Sequence, residues 1–317
     1  MTELRAAVIG VGKLGTLHAS KYAAIPDVRL VAVVDVDQSR ASQIALEYGA
    51  AAVTDFRTLK GTVDLVSVAT PSLTHYEVAA WMLQAGIDVL LEKPMAASPA
   101  HARELVALAA AHGRILQIGH LERFNPAIVH LRSMLRAPRF IESHRLAPFT
   151  ERGTDVDVIL DLMTHDLDVI LSCTEAEVIS AEAVGVAVLT DRIDVANARL
   201  RFSNGLIANL NTSRVAPRRE RKIRFFQPDE YISVDYEARR IQVYRKGAPQ
   251  PGSPYPVISA EQINLDKGDQ LADEIAAFVA SVRSRQAPIV SAADGLRVME
   301  LTDRIKSVME SAGTIAQ

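Results

Sequence analysis

The sequence predicts two domains: an α/β domain built on a parallel sheet, then an α+β domain built on an antiparallel one. Three observations carry this. Up to about residue 119, apolar runs of strand length alternate with helical segments. Three glycines spaced G-x-G-x-x-G lie between the first such run and the first helix. Beyond about residue 122, strands alternate apolar and polar residues instead. At 317 residues the chain is long enough for two cores, and the expected boundaries are 1–121 and 122–317.

Residues 4–9, LRAAVI, are the first strand, and Lys13 to Ile25 reads as a helix with Leu14, Leu17 and Tyr22 as apolar contacts. VRLVAVVD (28–35) is almost wholly apolar, as expected of a parallel strand covered on both faces. Ser39–Tyr48 reads as helical, with Asp37 placed as its N-cap. VDLVSVA (63–69) is a strand, and HYEVAAWMLQAG (75–86) a helix ending at Gly86. IDVLL (87–91) is the next strand. Ser98 and Pro99 open an alanine-rich helix as N-cap and first residue, Gly113 follows it, and ILQI (115–118) is the next strand.

The glycines thus follow a strand and open a helix inside one βαβ unit, the context of a dinucleotide site. Gly10 permits a tight turn, Gly12 lets the backbone approach a pyrophosphate, and Gly15 lets helix and strand pack closely. The helix start at Lys13 and Leu14 offers N–H groups and a positive dipole end to phosphates. Asp35 ends the second strand. A carboxylate there accepts both adenosine ribose hydroxyls and, without a balancing cation, repels a 2′-phosphate; the expected cofactor is NAD. Asp37 is the rival for that role. Ligands of such sheets lie beyond the carboxyl ends of the strands. Thr70, Pro71 and His75 after one strand, and Glu92, Lys93 and Pro94 after the next, therefore join the expected cofactor-binding set.

LLEKPM places Lys93 directly after a buried strand. It either caps the strand and pairs with Glu92, or acts in proton transfer with its pKa lowered by burial or a nearby cation. In DLMTHDLD, Asp161, His165 and Asp168 fall at i, i+4 and i+7 of a helix, on one face. A histidine beside a carboxylate suits a general base; a surface helix or a metal pair are the alternatives, and no metal site is expected. HLERFNPA (120–127) directly follows a strand end. Glu122, Arg123 and Asn125 there are candidate substrate or nicotinamide-ribose contacts, with Asn125 capping a helix before Pro126 as the alternative. RVAPRRERKIR (214–224) carries six basic residues and one acidic. It reads as an edge strand protected by charge, or as a clamp for an anionic substrate.

In the second domain, ANARLRF (196–202), Asn204-Gly205 and LIANLNTSRV (206–215) read as a hairpin. Helices around 269–285 and 294–312 close the chain, with Leu271, Ile275, Phe278 and Val282, then Leu296, Met299, Ile305 and Met309, as core stripes. The net charge of −3 gives no general pull toward nucleic acid or membrane. The single cysteine, Cys173, has no neighbouring base and reads as buried filler, which fits a reducing, cytoplasmic setting. No apolar stretch approaches the ~20 residues of a membrane span, and no signal-peptide pattern opens the chain.

The glycine pattern, the aspartate after strand two, E-K-P after a later strand and D-x-x-x-H-x-x-D some seventy residues on resemble, together, the Gfo/Idh/MocA oxidoreductases. The resemblance implies a Rossmann N-terminal domain and an α+β C-terminal domain with an open mixed, largely antiparallel sheet. It implies NAD(P)-dependent oxidation of a sugar or cyclitol hydroxyl, with Lys93, Asp161 and His165 as the catalytic set. One departure is Met163, where the family often has glycine. The segments 119–127, 142–168 and 196–205 resemble the branch of the family acting on C3 of UDP-N-acetylglucosamine for lipid A, ahead of a sugar aminotransferase. That implies a nucleotide-sugar substrate held by Lys93, Glu122, Arg123, Asn125, Arg145, Arg152, His165 and Arg214. It also implies a homodimer or homotetramer formed through the C-terminal sheet.

Overall fold

Apolar, β-branched runs build the first sheet: β1 (Leu4–Ile9), β2 (Val28–Val34), β3 (Ala51–Val53), β4 (Leu65–Val68), β5 (Asp88–Glu92) and β6 (Leu116–Gly119). All pairs are parallel, in the order β3-β2-β1-β4-β5-β6. This is the doubly wound order, with its switch point between β1 and β4. The helices between are α1 (Lys13–Ala24), α2 (Gln38–Tyr48), α3 (His75–Gln84) and α4 (Pro99–Ala111). The strand β3 has no alternating or continuous apolar signal beyond three residues, and the sequence reading lacks it. Asp37 caps α2, accepting from the Ser39 and Arg40 N–H groups, and Ser98 caps α4.

The computed structural model describes residues 2–151, 154 and 156–311. One unit comprises the chain up to Leu121 together with Asp269–Met299; the other comprises Glu122–Gly268 and Glu300 onward. The expected assignment of 269–299 to the second domain is therefore corrected. In helix α7 (Gln270–Ser284), Leu271, Ile275, Phe278 and Val282 join one core with Val8, Tyr22, Leu30 and Leu90. Asp269 caps that helix and pairs with Lys21 on α1 at 2.7 Å. One α1 expectation also fails: Leu17 is exposed, while His18 is fully buried in its stead.

The second unit holds α5 (Pro126–Met134), β7 (Phe140–Leu146), a π-helical turn at Ile159–Met163, α6 (Thr164–Ser172), β8 (Val178–Val186), β9 (Val195–Phe202) and β10 (Ile207–Ser213). It continues with β11 (Glu220–Gln227), β12 (Glu230–Asp235), β13 (Arg240–Pro249) and β14 (Pro256–Asn264). Helix α8 spans Ala292–Ser311. The eight strands run β14-β13-β12-β11-β7-β10-β9-β8, open at both ends. Only β7–β10 is parallel, so the sheet is mixed and largely antiparallel. Gly205, at φ +85°, turns the β9–β10 hairpin. Strand β11 lies between β7 and β12, so the basic stretch is not an edge strand.

Candidate cofactor and substrate sites

The glycine loop divides its labour by space. Gly10 sits at φ +84°, and a Cβ there would meet the Ala69 carbonyl oxygen at 2.7 Å. A Cβ on Gly15 would lie 1.7 Å from the Gly10 carbonyl oxygen, so only glycine lets α1 pack on this turn. A Cβ on Gly12 would point into open space. Gly12 caps α1 without a side chain, and no acidic residue stands in the first turn. The cradle is thus open, rich in N–H groups and at the positive end of a helix, as a pyrophosphate requires.

Asp35 is buried at the end of β2. Its carboxylate accepts from the Val11 and Asp37 N–H groups, both at 3.0 Å, which ties the glycine loop to the start of α2. Arg40 Nη1 donates to both of its oxygens at 3.3 Å. The expectation of no balancing cation is therefore corrected: one stands on the first turn of α2. Asp37 is occupied as the helix cap and is no rival.

Beyond β4 and β5 two of the expected cofactor contacts have partners inside the protein. His75 is buried, its ring nitrogens 2.8 and 2.9 Å from the carbonyl oxygens of Pro94 and Thr70. It ties the two strand-end loops together, so its ring is not exposed to a ligand. Glu92 turns inward, its Oε1 3.0 Å from His18 Nε2. Lys93 and Pro94 are half-buried, as are Leu14 and Thr70, while Lys13 and Pro71 are exposed.

In the second unit, Asp161 and His165 are half-buried at the junction of the π-helical turn and α6. Asp168 is not with them. It is fully buried and accepts a two-pronged contact from Arg123, at 2.8 and 2.9 Å. The extra residue of a π-turn shifts the phase that regular helical spacing assumes. Met163, at the departure from the family pattern, is buried core.

Most of the expected substrate cations are spent internally. Arg145 donates to Asp166 at 2.8 and 3.0 Å and to Glu122 at 3.3 Å, with its guanidinium 5.2 Å from the Tyr236 ring centre. Burial would lower its pKa, but the Asp166 and Glu122 charges outweigh that and raise it. Asn125 caps α5 through Oδ1 and donates to Glu122 and to the Tyr236 carbonyl. Arg214 is buried, donating to the Val156 carbonyl and lying 3.6 Å from Asp194. Glu122, Arg123, Asn125, Arg145 and Arg214, the expected substrate contacts, are each buried and have partners within the unit. Arg152 lies outside the described residues.

One cation of the basic stretch 214–224 stands apart from these. Arg221 on β11 pairs in register with Arg145 and is half-buried; its carbonyl accepts from the Tyr236 N–H, but its guanidinium makes no ion pair or hydrogen bond among the described residues. Burial and then the Arg145 charge lower its pKa. Cys173 is half-buried, and burial pushes its thiol up to about 11, which removes it as a nucleophile. Among the described residues no group of three metal-ligating side chains is gathered, and no helix is long and apolar enough to cross a membrane.

Comparison with known proteins agrees with this architecture. Residues 4–120 match an oxidoreductase family described as an NAD-binding Rossmann fold, and residues 127–234 match the GFO/IDH/MocA C-terminal domain. The chain is 40% identical over 313 residues to the UDP-N-acetylglucosamine 3-dehydrogenase of Acidithiobacillus ferrooxidans, covering 98% of this chain and 99% of that one. The solved structure of that enzyme superposes with a TM-score of 0.93 at 39% identity, over all of both chains. The inositol 2-dehydrogenase of Acidothermus cellulolyticus is 33% identical over 195 residues, 57% of each chain. The open glycine cradle, the family matches over both domains and the full-length relative lead to one conclusion: the chain belongs to the Gfo/Idh/MocA oxidoreductases and uses NAD.

Proposed function

We propose that the chain oxidises the C3 hydroxyl of UDP-N-acetylglucosamine to the 3-keto sugar. The observation that carries this reading is the full-length likeness to the Acidithiobacillus ferrooxidans enzyme, set against partial coverage by an inositol dehydrogenase. NAD, when bound, supplies the hydride acceptor. Gly10, Gly12 and Gly15 hold its pyrophosphate and Asp35 its adenosine ribose. Lys93 or His165 takes the hydroxyl proton, and Asp161 orients the base. Half-burial of these three suits the role, since each keeps a face toward solvent and ligand. For the sugar diphosphate Arg221 is an available cation, whereas Arg123, Arg145 and Arg214 are already paired.

A 3-keto sugar nucleotide is reactive, so we place a cytoplasmic sugar aminotransferase next, in a route to 3-amino sugars of lipid A. We also propose assembly as a homodimer or homotetramer through the C-terminal sheet. Support comes from an aromatic stripe crossing four strands on its half-exposed face. Phe140, Phe226, Tyr231 and Tyr244 stack at ring separations of 5.4, 4.9 and 5.5 Å. The test is a coupled assay: protein, NAD, UDP-N-acetylglucosamine, a sugar 3-aminotransferase and glutamate, read by mass for the amino sugar. No product, together with rapid NAD reduction on inositol, moves the assignment to a polyol dehydrogenase.

A further inference from the structure

The first unit buries a polar relay that the glycine loop and the strand-end lysine do not explain. Tyr22 Oη lies 2.9 Å from Ser67 Oγ, Ser67 Oγ lies 3.0 Å from His18 Nδ1, and His18 Nε2 lies 3.0 Å from Glu92 Oε1. Tyr22, Ser67 and His18 are fully buried, and Glu92 is 9% exposed. Burial raises the Tyr22 phenol well above its ordinary range against the lowering effect of Ser67, so it keeps its proton. The carboxylate at the other end can only accept. With a neutral imidazole, every donor then points one way: Tyr22 to Ser67, Ser67 to His18, His18 to Glu92. The polar side-chain atoms of Tyr22, Ser67 and His18 are all satisfied, and one negative charge remains at the end of the line.

That end has a definite place. Glu92 closes β5, and its carboxylate lies against Gly119 at the close of β6, where a Cβ would come within 2.9 Å. Asp35 marks the β2 side of the switch point as the adenosine half of the site. The strands β4, β5 and β6 lie on the other side, so their carboxyl ends carry the nicotinamide half. A mere tie between α1 and the sheet needs no charge there. Apolar side chains of similar volume would tie them without burying an anion.

We propose that the relay fixes Glu92 as an anion at the nicotinamide half of the cofactor site, where it favours the cationic oxidised ring over an uncharged one. Glu92 is a binding residue in this arrangement, and His18 is a positioning residue. Lys93, next in the chain, carries the opposite charge and tempers the effect, so the expected preference is about five- to tenfold.

The test compares two ligands on the full chain by calorimetry: NAD, and its neutral isostere with benzamide in place of nicotinamide. The native protein should bind NAD about five- to tenfold more tightly. Glu92→Gln should remove most of that difference and leave affinity for the neutral isostere nearly unchanged. His18→Gln, which keeps the carboxylate but loosens it, should give an intermediate preference. Equal affinities in the native protein overturn the proposal whether or not a variant folds. Loss of affinity for both ligands by one factor in Glu92→Gln also overturns it, and an unaltered preference in His18→Gln overturns the role of the relay.

Discussion

Replacing Asp35 with serine should do more than weaken NAD; it should turn the site toward NADP. In the proposed site the Asp35 carboxylate accepts from the ribose, while in the native protein Arg40 Nη1 leans on both its oxygens at 3.3 Å. Hydrogen bonds to a charged acceptor are each worth about 1.5–3 kcal/mol. Losing the two ribose contacts therefore costs about 3 kcal/mol or more, at least roughly a hundredfold in NAD affinity. The same change removes the buried anion facing a 2′-phosphate and leaves the half-exposed Arg40 guanidinium with Asp37, at 3.5 Å, as its remaining partner. One charge-assisted bond plus lost repulsion should improve NADP affinity by roughly 30- to 100-fold. Serine also gives up some of the tie between Val11 and Asp37, so about 1–2 kcal/mol of stability should go with it. Dissociation constants for both cofactors, in native protein, Asp35→Ser and Asp35→Ser/Arg40→Ala, decide the matter. Unchanged NADP binding in the single variant, or an equal NADP affinity in the double variant, would refute Arg40 as the released cation.

Lys93→Met and His165→Ala should each lower turnover by roughly 10²–10⁴ with no loss of NAD affinity. A variant with near-native turnover would take its residue out of proton transfer, and pH profiles of the two identify the base. Arg145→Met strands the buried carboxylates of Glu122 and Asp166 and should cost about 3–5 kcal/mol in denaturant unfolding. Burial pushes the Asp194 carboxyl up, yet the N–H groups of Leu189, Val188 and Thr190 and the Thr190 hydroxyl overcome this and hold it at about 2. A depressed folded-state pKa gives stability that is full above the unfolded value near 4 and is lost as pH falls through about 2. Asp194→Asn should accordingly cost about 2 kcal/mol at pH 7, with the deficit shrinking to nothing toward pH 2 in urea titrations.

The parallel sheet was legible because its signals are local. Apolar runs, the helix caps at Asp37 and Ser98 and the glycine spacing each act within a few residues. What the sequence hid is pairing at long range. Nothing local marks His18 as buried; Ser67 and Glu92, 49 and 74 residues away, give its ring two partners. Arg123 and Asp168 are 45 residues apart, and nothing local announces that each neutralises the other. Arginine was assigned to substrate because its fork suits a phosphate, but the same fork suits a carboxylate of the protein itself.

Strand parity could have separated these cases in part. On β7, Ile141, Ser143 and Arg145 share the buried face while Phe140, Glu142 and His144 share the other. Arg145 therefore belongs, by position alone, to the face that packs. The same count on β11 puts Arg221 in phase with the buried Ile223 and Phe225. Parity predicts that both arginines turn to the covered side of the sheet, and both do. It does not tell which guanidinium is already spent, because that depends on Glu122 and Asp166, which reach Arg145 from other elements. A cation that shares a neighbour's face but lacks that neighbour's carboxylates still has its charge to offer. On this sheet that distinguishes Arg221 from Arg145, and it makes Arg221→Ala, read as a rise in KM for the nucleotide sugar with kcat retained, the more informative substitution for substrate binding.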